Sequence, residues 1–173
     1  MFRLVKGFGS PLNILFPEQA IQNLKLLEQV FVEHRIRGRV FYASKTNKSE
    51  AILRRLSSVS SATVDVASSA ELQAALNSGF AANRIEATGP KNDEFLRLCL
   101  LHDVIINLDD RNEYERVLRI HSLLGVSGKV RVLIRVAHPS SSTQIRRAVR
   151  FGMEHAIYTQ YLKAALVMTL FSC

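Results

Sequence analysis

The strongest constraint on this chain is a rhythm in its sequence: short β-rich runs alternate with stretches whose apolar residues recur at helical spacing. Arg39–Ser44 is one such run, followed by a helical stripe at Ala51, Ile52 and Leu56. Thr63–Ala67 is the next, and its helix opens on the capping box Ser68-Ser69-Ala70-Glu71 and closes near Gly79. Arg84–Thr88 leads into Phe95, Leu96, Cys99 and Leu100. Val104–Leu108 leads into Val117, Ile120 and Leu124, with a stop at Gly125, and Val130–Val136 is the fifth run. Upstream, Leu12–Phe16 reads as a short strand, and Pro17 suits the first position of a helix whose stripe is Ile21, Leu24, Leu27, Val30 and Phe31, with Gly38 ending the unit. Strands alternating with helices need crossovers, so the expectation is a parallel sheet covered by helices.

Several of these runs are apolar on both faces, as buried parallel strands are. A doubly wound sheet and a (β/α) barrel both satisfy the pattern. No G-x-G-x-x-G turn follows the first strand, which weighs against a dinucleotide-binding domain. After Val136 the rhythm fails: His138–Gln144 is polar loop, and Arg150-Phe151-Gly152-Met153 leads into a segment of helical character rich in apolar residues from Leu162 to Phe171. A full barrel has eight units and about 250 residues, and this chain has 173.

The chain has 47% hydrophobic and 22% charged residues, ordinary for a globular domain. No run of about 18 apolar residues is present, so no spanning helix is expected, and the first residues lack the pattern of a signal peptide. The net charge of +8 raises nucleic-acid binding, but its basic residues are scattered (Arg54-Arg55, Lys129 and Arg131, Arg146-Arg147), with no dense tract or aromatic stacking pattern. Two cysteines, Cys99 and Cys173, make no disulfide framework, so free thiols and a cytoplasmic location are expected.

The informative tract is Phe41-Tyr42-Ala43-Ser44-Lys45-Thr46-Asn47, which puts a lysine where a strand ends. In barrel enzymes that end faces the active site, and an amine there can form a Schiff base with an aldehyde cofactor. The amine must be neutral to attack, and burial would lower its pKa. The plain alternative is a solvated loop lysine, since lysines are mostly exposed. Lys48 reads as a surface charge.

The neighbours favour the first reading. Phe8-Gly9-Ser10-Pro11-Leu12, Tyr42-Ala43-Ser44-Lys45-Thr46-Asn47, Asp65-Val66-Ala67-Ser68-Ser69-Ala70-Glu71-Leu72, and Val132–Val136 followed by Arg150-Phe151-Gly152 occur in the order of four family motifs. Over roughly residues 8–155 the chain resembles the fold-type III pyridoxal 5'-phosphate (PLP) decarboxylases of the ornithine/diaminopimelate/arginine group. Phe8 stands where that family usually has tyrosine, and Thr46 where Ala or Cys is usual.

The resemblance implies an α/β fold, a partial (β/α) TIM-type barrel of about five βα units that stops before closure. It divides the chain into an N-terminal segment with a short strand (1–16), a partial PLP-binding barrel (17–155) and an apolar helical tail (156–173). It implies that Lys45 is catalytic and holds PLP as the internal aldimine, with Asp65 and Arg135 beside the cofactor. The plain readings are a loop-fixing carboxylate for Asp65 and a salt-bridged strand arginine for Arg135. Arg150 would lie near a dimer contact or be merely exposed. Gly89-Pro90-Lys91-Asn92 would shape the barrel mouth or be a plain turn and N-cap. The implied activity is decarboxylation of a small-molecule amino acid by a homodimer, without metal, nucleic acid or membrane.

The family's partner for the pyridine nitrogen, its ring-stacking histidine, its phosphate-binding segment and its cross-dimer cysteine and tyrosine find no match here, and none of the five histidines replaces them. The expectation is therefore an incomplete unit: a natural truncation, an interrupted reading frame or part of a longer protein. The alternatives are a non-catalytic PLP-binding protein and an inactive pseudoenzyme fragment.

Overall fold

The structure is a computed structural model that describes residues 2–126, 128–137 and 152–153. Two helices, α1 (Phe2–Phe8) and α2 (Pro17–Glu33), precede an alternating series. It runs β1 (Phe41–Ala43), α3 (Glu50–Ser57), β2 (Thr63–Val66), α4 (Ser69–Asn77), β3 (Ile85–Ala87), α5 (Asp93–Leu101), β4 (Ile105–Leu108), α6 (Arg111–Leu124) and β5 (Val132–Ile134).

The five strands lie in one parallel sheet in the order β1-β2-β3-β4-β5. That order decides between the two architectures the strand rhythm left open, in favour of the partial barrel that the family resemblance implied. A doubly wound sheet reverses direction at a switch point, whereas a barrel wall adds each strand beside the last. The chain is thus a partial (β/α) barrel, with five of the eight strands of that fold among its described residues.

Alternation along each strand gives the sheet two unlike faces. One carries Val64, Val66, Ile85, Ala87, Ile106, Leu108 and Val132, all buried. Against them pack Leu53 and Leu56 of α3, Leu72 of α4, Phe95 and Leu96 of α5, and Val117 and Ile120 of α6. Each such side chain contributes about 1.5–3 kcal/mol on leaving water, so this layer drives the fold. Cys99 sits in the same layer, unpaired, and burial pushes its thiol up to about 12.

Helix starts follow the sequence signals. Pro17 opens α2, and the side chains of Ser68, Asn92 and Asp110 accept hydrogen bonds from the N–H groups of Glu71, Phe95 and Glu113. Gly125 ends α6 in the left-handed conformation at φ 60°.

Some expectations are corrected. Leu12–Phe16 forms no strand and pairs with none of the described strands. Residues Phe2–Phe8 before it are helical, which the sequence reading did not anticipate. The stripe of α2 is only partly covered: Ile21 and Leu24 are buried, but Leu27 and Val30 are exposed. The ladder of β5 is shorter than Val130–Val136, and Val136 instead makes a parallel bridge with Met153. Gly152 permits that bridge, since at φ +98° an added Cβ would stand 2.8 Å from the Ala137 nitrogen. His138–Gln144, Arg146-Arg147, Arg150, Phe151, His155 and the apolar tail from Leu162 to Phe171 lie outside the described residues. No described helix is long and apolar enough to cross a membrane.

Candidate functional site

The second face of the sheet is polar where its strands end. Register places Ala43 beside Asp65 and Asp65 beside Glu86. Asn107 of β4 donates its amide to Glu86 Oε1 at 2.6 Å. Beyond β4, Asp109 is buried, and its Oδ1 lies 3.3 Å from an Arg135 guanidinium nitrogen just after β5. Ile105, on this same face, stays out of the apolar core cluster.

Lys45 follows β1 on a single 3₁₀ turn, Ser44–Thr46. Its neighbours fix that turn. The Ser44 hydroxyl is buried and donates to Glu71 Oε2 at 2.8 Å, and Thr46 Oγ1 donates back to the Ala43 carbonyl at 2.8 Å. Tyr42 donates its hydroxyl to the Asn47 carbonyl at 3.1 Å. Thr46, where the family usually has Ala or Cys, thus satisfies its extra hydroxyl locally. Lys45 itself is exposed and makes no hydrogen bond or ion pair among the described residues. Burial as the means of keeping its amine neutral is not what the structure shows; the backbone is held and the amine left open.

Asp65 feels that amine. Burial, and next the Glu86 carboxylate, push its pKa up to about 6, while Lys45 pulls the other way. Glu86 is also raised, mainly by burial, with the Asn107 amide opposing. Among the described residues Asp65 makes no hydrogen bond to a loop, whereas Glu71 accepts from the Ala67 N–H and the Ser44 hydroxyl. Burial works to raise the Glu71 pKa, but bonds from the Ala67 N–H, Lys48 and Ser44 outweigh it and hold it below the usual range. Lys48, read as a plain surface charge, reaches Glu71 at 3.0 Å.

Three buried acceptors among the described residues lack a hydrogen-bond partner: Asp65 Oδ1, Asn107 Oδ1 and Asp109 Oδ2. All three belong to this polar face. Unpaired buried acceptors are costly, and when they gather on one face they mark a place that suits a ligand bearing N–H or O–H groups. The primary amine at Lys45 Nζ, open beside them, is what an aldehyde cofactor requires. A phosphate dianion is repelled by the row Asp65, Glu86 and Asp109, so these residues fit the ring and amine side of such a cofactor, not its phosphate.

Sequence reading brought Lys45 and Asp65 to one corner and Arg135 to the far end of the row. It missed Glu86, Asn107 and Asp109. Their signal was a polar residue alternating with apolar ones inside or just after a buried strand. It also missed a buried ion pair in the next turns, Lys91 Nζ to Glu113 Oε2 at 2.9 Å, where Asn92 does serve as the expected N-cap.

Comparison with known proteins points the same way. The family model for the pyridoxal-dependent decarboxylases, pyridoxal binding domain, matches residues 18–169. An uncharacterized protein of Sinorhizobium fredii is 33% identical over 88% of this chain and 32% of its own length. A diaminopimelate decarboxylase of Methanothermobacter thermautotrophicus is 32% identical over 87% of this chain and 35% of its own. Among solved structures, diaminopimelate decarboxylase from M. jannaschii superimposes with a TM-score of 0.79 at 25% identity, covering 97% of this chain and 42% of that one. The chain therefore spans about a third of the length of the curated relatives it matches.

Proposed function

The chain belongs to the pyridoxal-dependent decarboxylases, over their pyridoxal binding domain, and from that premise we propose that Lys45 is the residue that carries pyridoxal 5'-phosphate in an amino-acid decarboxylase. The observation that supports this reading most is the open amine of Lys45 on a turn anchored by Ser44 and Glu71, beside Asp65.

When bound, the cofactor supplies an electron sink for the pair left behind as a carboxylate leaves. The protein's own residues do the rest. Lys45 Nζ gives up a proton to become a nucleophile and is later free to return one. Asp65, its pKa pushed up to about 6 by burial and the Glu86 carboxylate, is a nearby carboxylate able to change charge state within reach of neutral pH. Arg135, held by Asp109, and the acceptors of Asn107 and Asp109 orient groups above the sheet. The substrate is an amino acid. Relatives named as diaminopimelate and arginine decarboxylases make a second charged group on it the first choice to assay. A homodimer forms part of this reading on the family resemblance alone.

The alternative reading is cofactor binding without turnover. One experiment separates the two. Incubated with pyridoxal 5'-phosphate, the protein is expected to gain a visible absorbance band. Borohydride should then fix the label on the Lys45 peptide, and Lys45→Ala should abolish it. A label on another lysine, or none, sinks both readings. Release of CO2 from diaminopimelate, arginine or ornithine distinguishes enzyme from carrier.

A further inference from the structure

Resting on the reading that the polar face meets the cofactor, we propose that Lys91 and Glu113 are positioning residues for Arg135, acting through Asp109. The Lys91 and Glu113 side chains are 0% and 3% exposed. An ammonium so placed must use all its donors, and it does. Lys91 Nζ bonds the Gly89 carbonyl at 2.7 Å, the Asn107 carbonyl at 2.6 Å and Glu113 Oε2 at 2.9 Å. One side chain thus ties the turn after β3 to the end of β4.

Glu113 carries the connection onward. Its carboxylate accepts from the Lys91 backbone N–H and from the Asp109 N–H, each at 3.1 Å. That fixes the residue whose Oδ1 holds Arg135. The arrangement repeats one already seen. Glu71 and Glu113 occupy the same place in their helices, each with its N–H bonded to the N-cap side chain. Each accepts from the N–H four residues earlier, Ala67 or Asp109, and each reaches back to a preceding unit, Ser44 or Lys91. The first steadies the turn that carries Lys45; the second steadies the corner that carries Arg135. A clamp that only fastened α6 would not need to end on Asp109.

A double-substitution cycle on the full chain tests this, with cofactor affinity read from the visible band during titration with pyridoxal 5'-phosphate and far-UV circular dichroism confirming the fold. Arg135→Gln is expected to weaken affinity about tenfold or more, the effect of one charge-assisted hydrogen bond. Lys91→Gln should weaken it comparably, and the pair together should weaken it no more than Arg135→Gln alone. Multiplicative losses, or an unchanged affinity in Lys91→Gln, overturn the proposal. If Lys91→Gln loses its helical signal, Glu113→Gln enters the same cycle, since it fills the same space without the charge. A wild-type chain that takes no label at Lys45 removes the cofactor reading and this inference with it. A labelled wild type with an indifferent Lys91→Gln removes the inference alone.

Discussion

At the scale of single residues, Asp65 departs furthest from its ordinary state among the described carboxylates of the polar face. Its pKa is pushed up to about 6, chiefly by burial and next by Glu86. A carboxyl group with a raised folded pKa holds its proton more tightly folded than unfolded. Its contribution to stability is therefore greatest below pH 4 and falls as pH rises from about 4 to about 6. Asp65→Asn removes that dependence. It should stabilise the chain at pH 7.5 by about 1–2 kcal/mol, given the residue's partial exposure, and change little at pH 4. Urea titrations at the two pH values check this, and equal effects at both would refute the assignment. Lys45 and Asp65 were legible because each lies in a stretch whose neighbours match a motif. Glu86 and Asn107 were not, because the bond between them spans 21 residues and exists only once β3 and β4 stand side by side.

At the scale of elements, two substitutions at the start of α4 separate capping from anchoring. Ser68→Ala removes only the cap and should cost about 1 kcal/mol, leaving the borohydride labelling of Lys45 unaltered. Glu71→Ala keeps the cap, which uses the backbone N–H of that residue, but strands the buried Ser44 hydroxyl and the Ala67 N–H, so it should cost about 2–4 kcal/mol and slow the labelling. Equal labelling rates in the two variants would deny Glu71 its hold on the lysine turn. In the turn before α5, Lys91→Met leaves Glu113 of α6 as a buried charge without its ion-pair partner and should cost about 3–5 kcal/mol in thermal unfolding. The elements themselves were legible from local signals: the Pro17 start, the Ser68 and Asn92 caps, the Gly125 stop and the apolar runs. Leu12–Phe16 was misread because strand propensity is not enough; a strand exists only against a partner. The exposure of Leu27 and Val30 has a similar cause, since α2 packs beside α3 and nothing described covers its far side.

At the scale of the molecule, the sheet has β1 at one side and β5 at the other, with Met153 making the one described contact beyond β5. Parallel edges with unpaired backbone groups invite pairing with other chains. Expressed as these 173 residues, the protein should associate with rising concentration in sedimentation velocity and bind an apolar dye. A sharply melting monomer that binds none would mean the edges are covered. Local patterns left the architecture open, because they are the same in a barrel wall and a doubly wound sheet, and it was the family motifs that pointed to the barrel. Strand order separates them, and strand order is a property of the assembled sheet. The layer between sheet and helices also holds a built-in clock. Alkylating reagents attack a thiolate that water can reach, and Cys99, sealed at 0% exposure with its thiol pushed up to about 12, offers neither while the chain is folded. In a Cys173→Ser background, the rate at which iodoacetamide marks Cys99 should therefore count opening events of the core, and should quicken in Lys91→Met in step with the loss of stability.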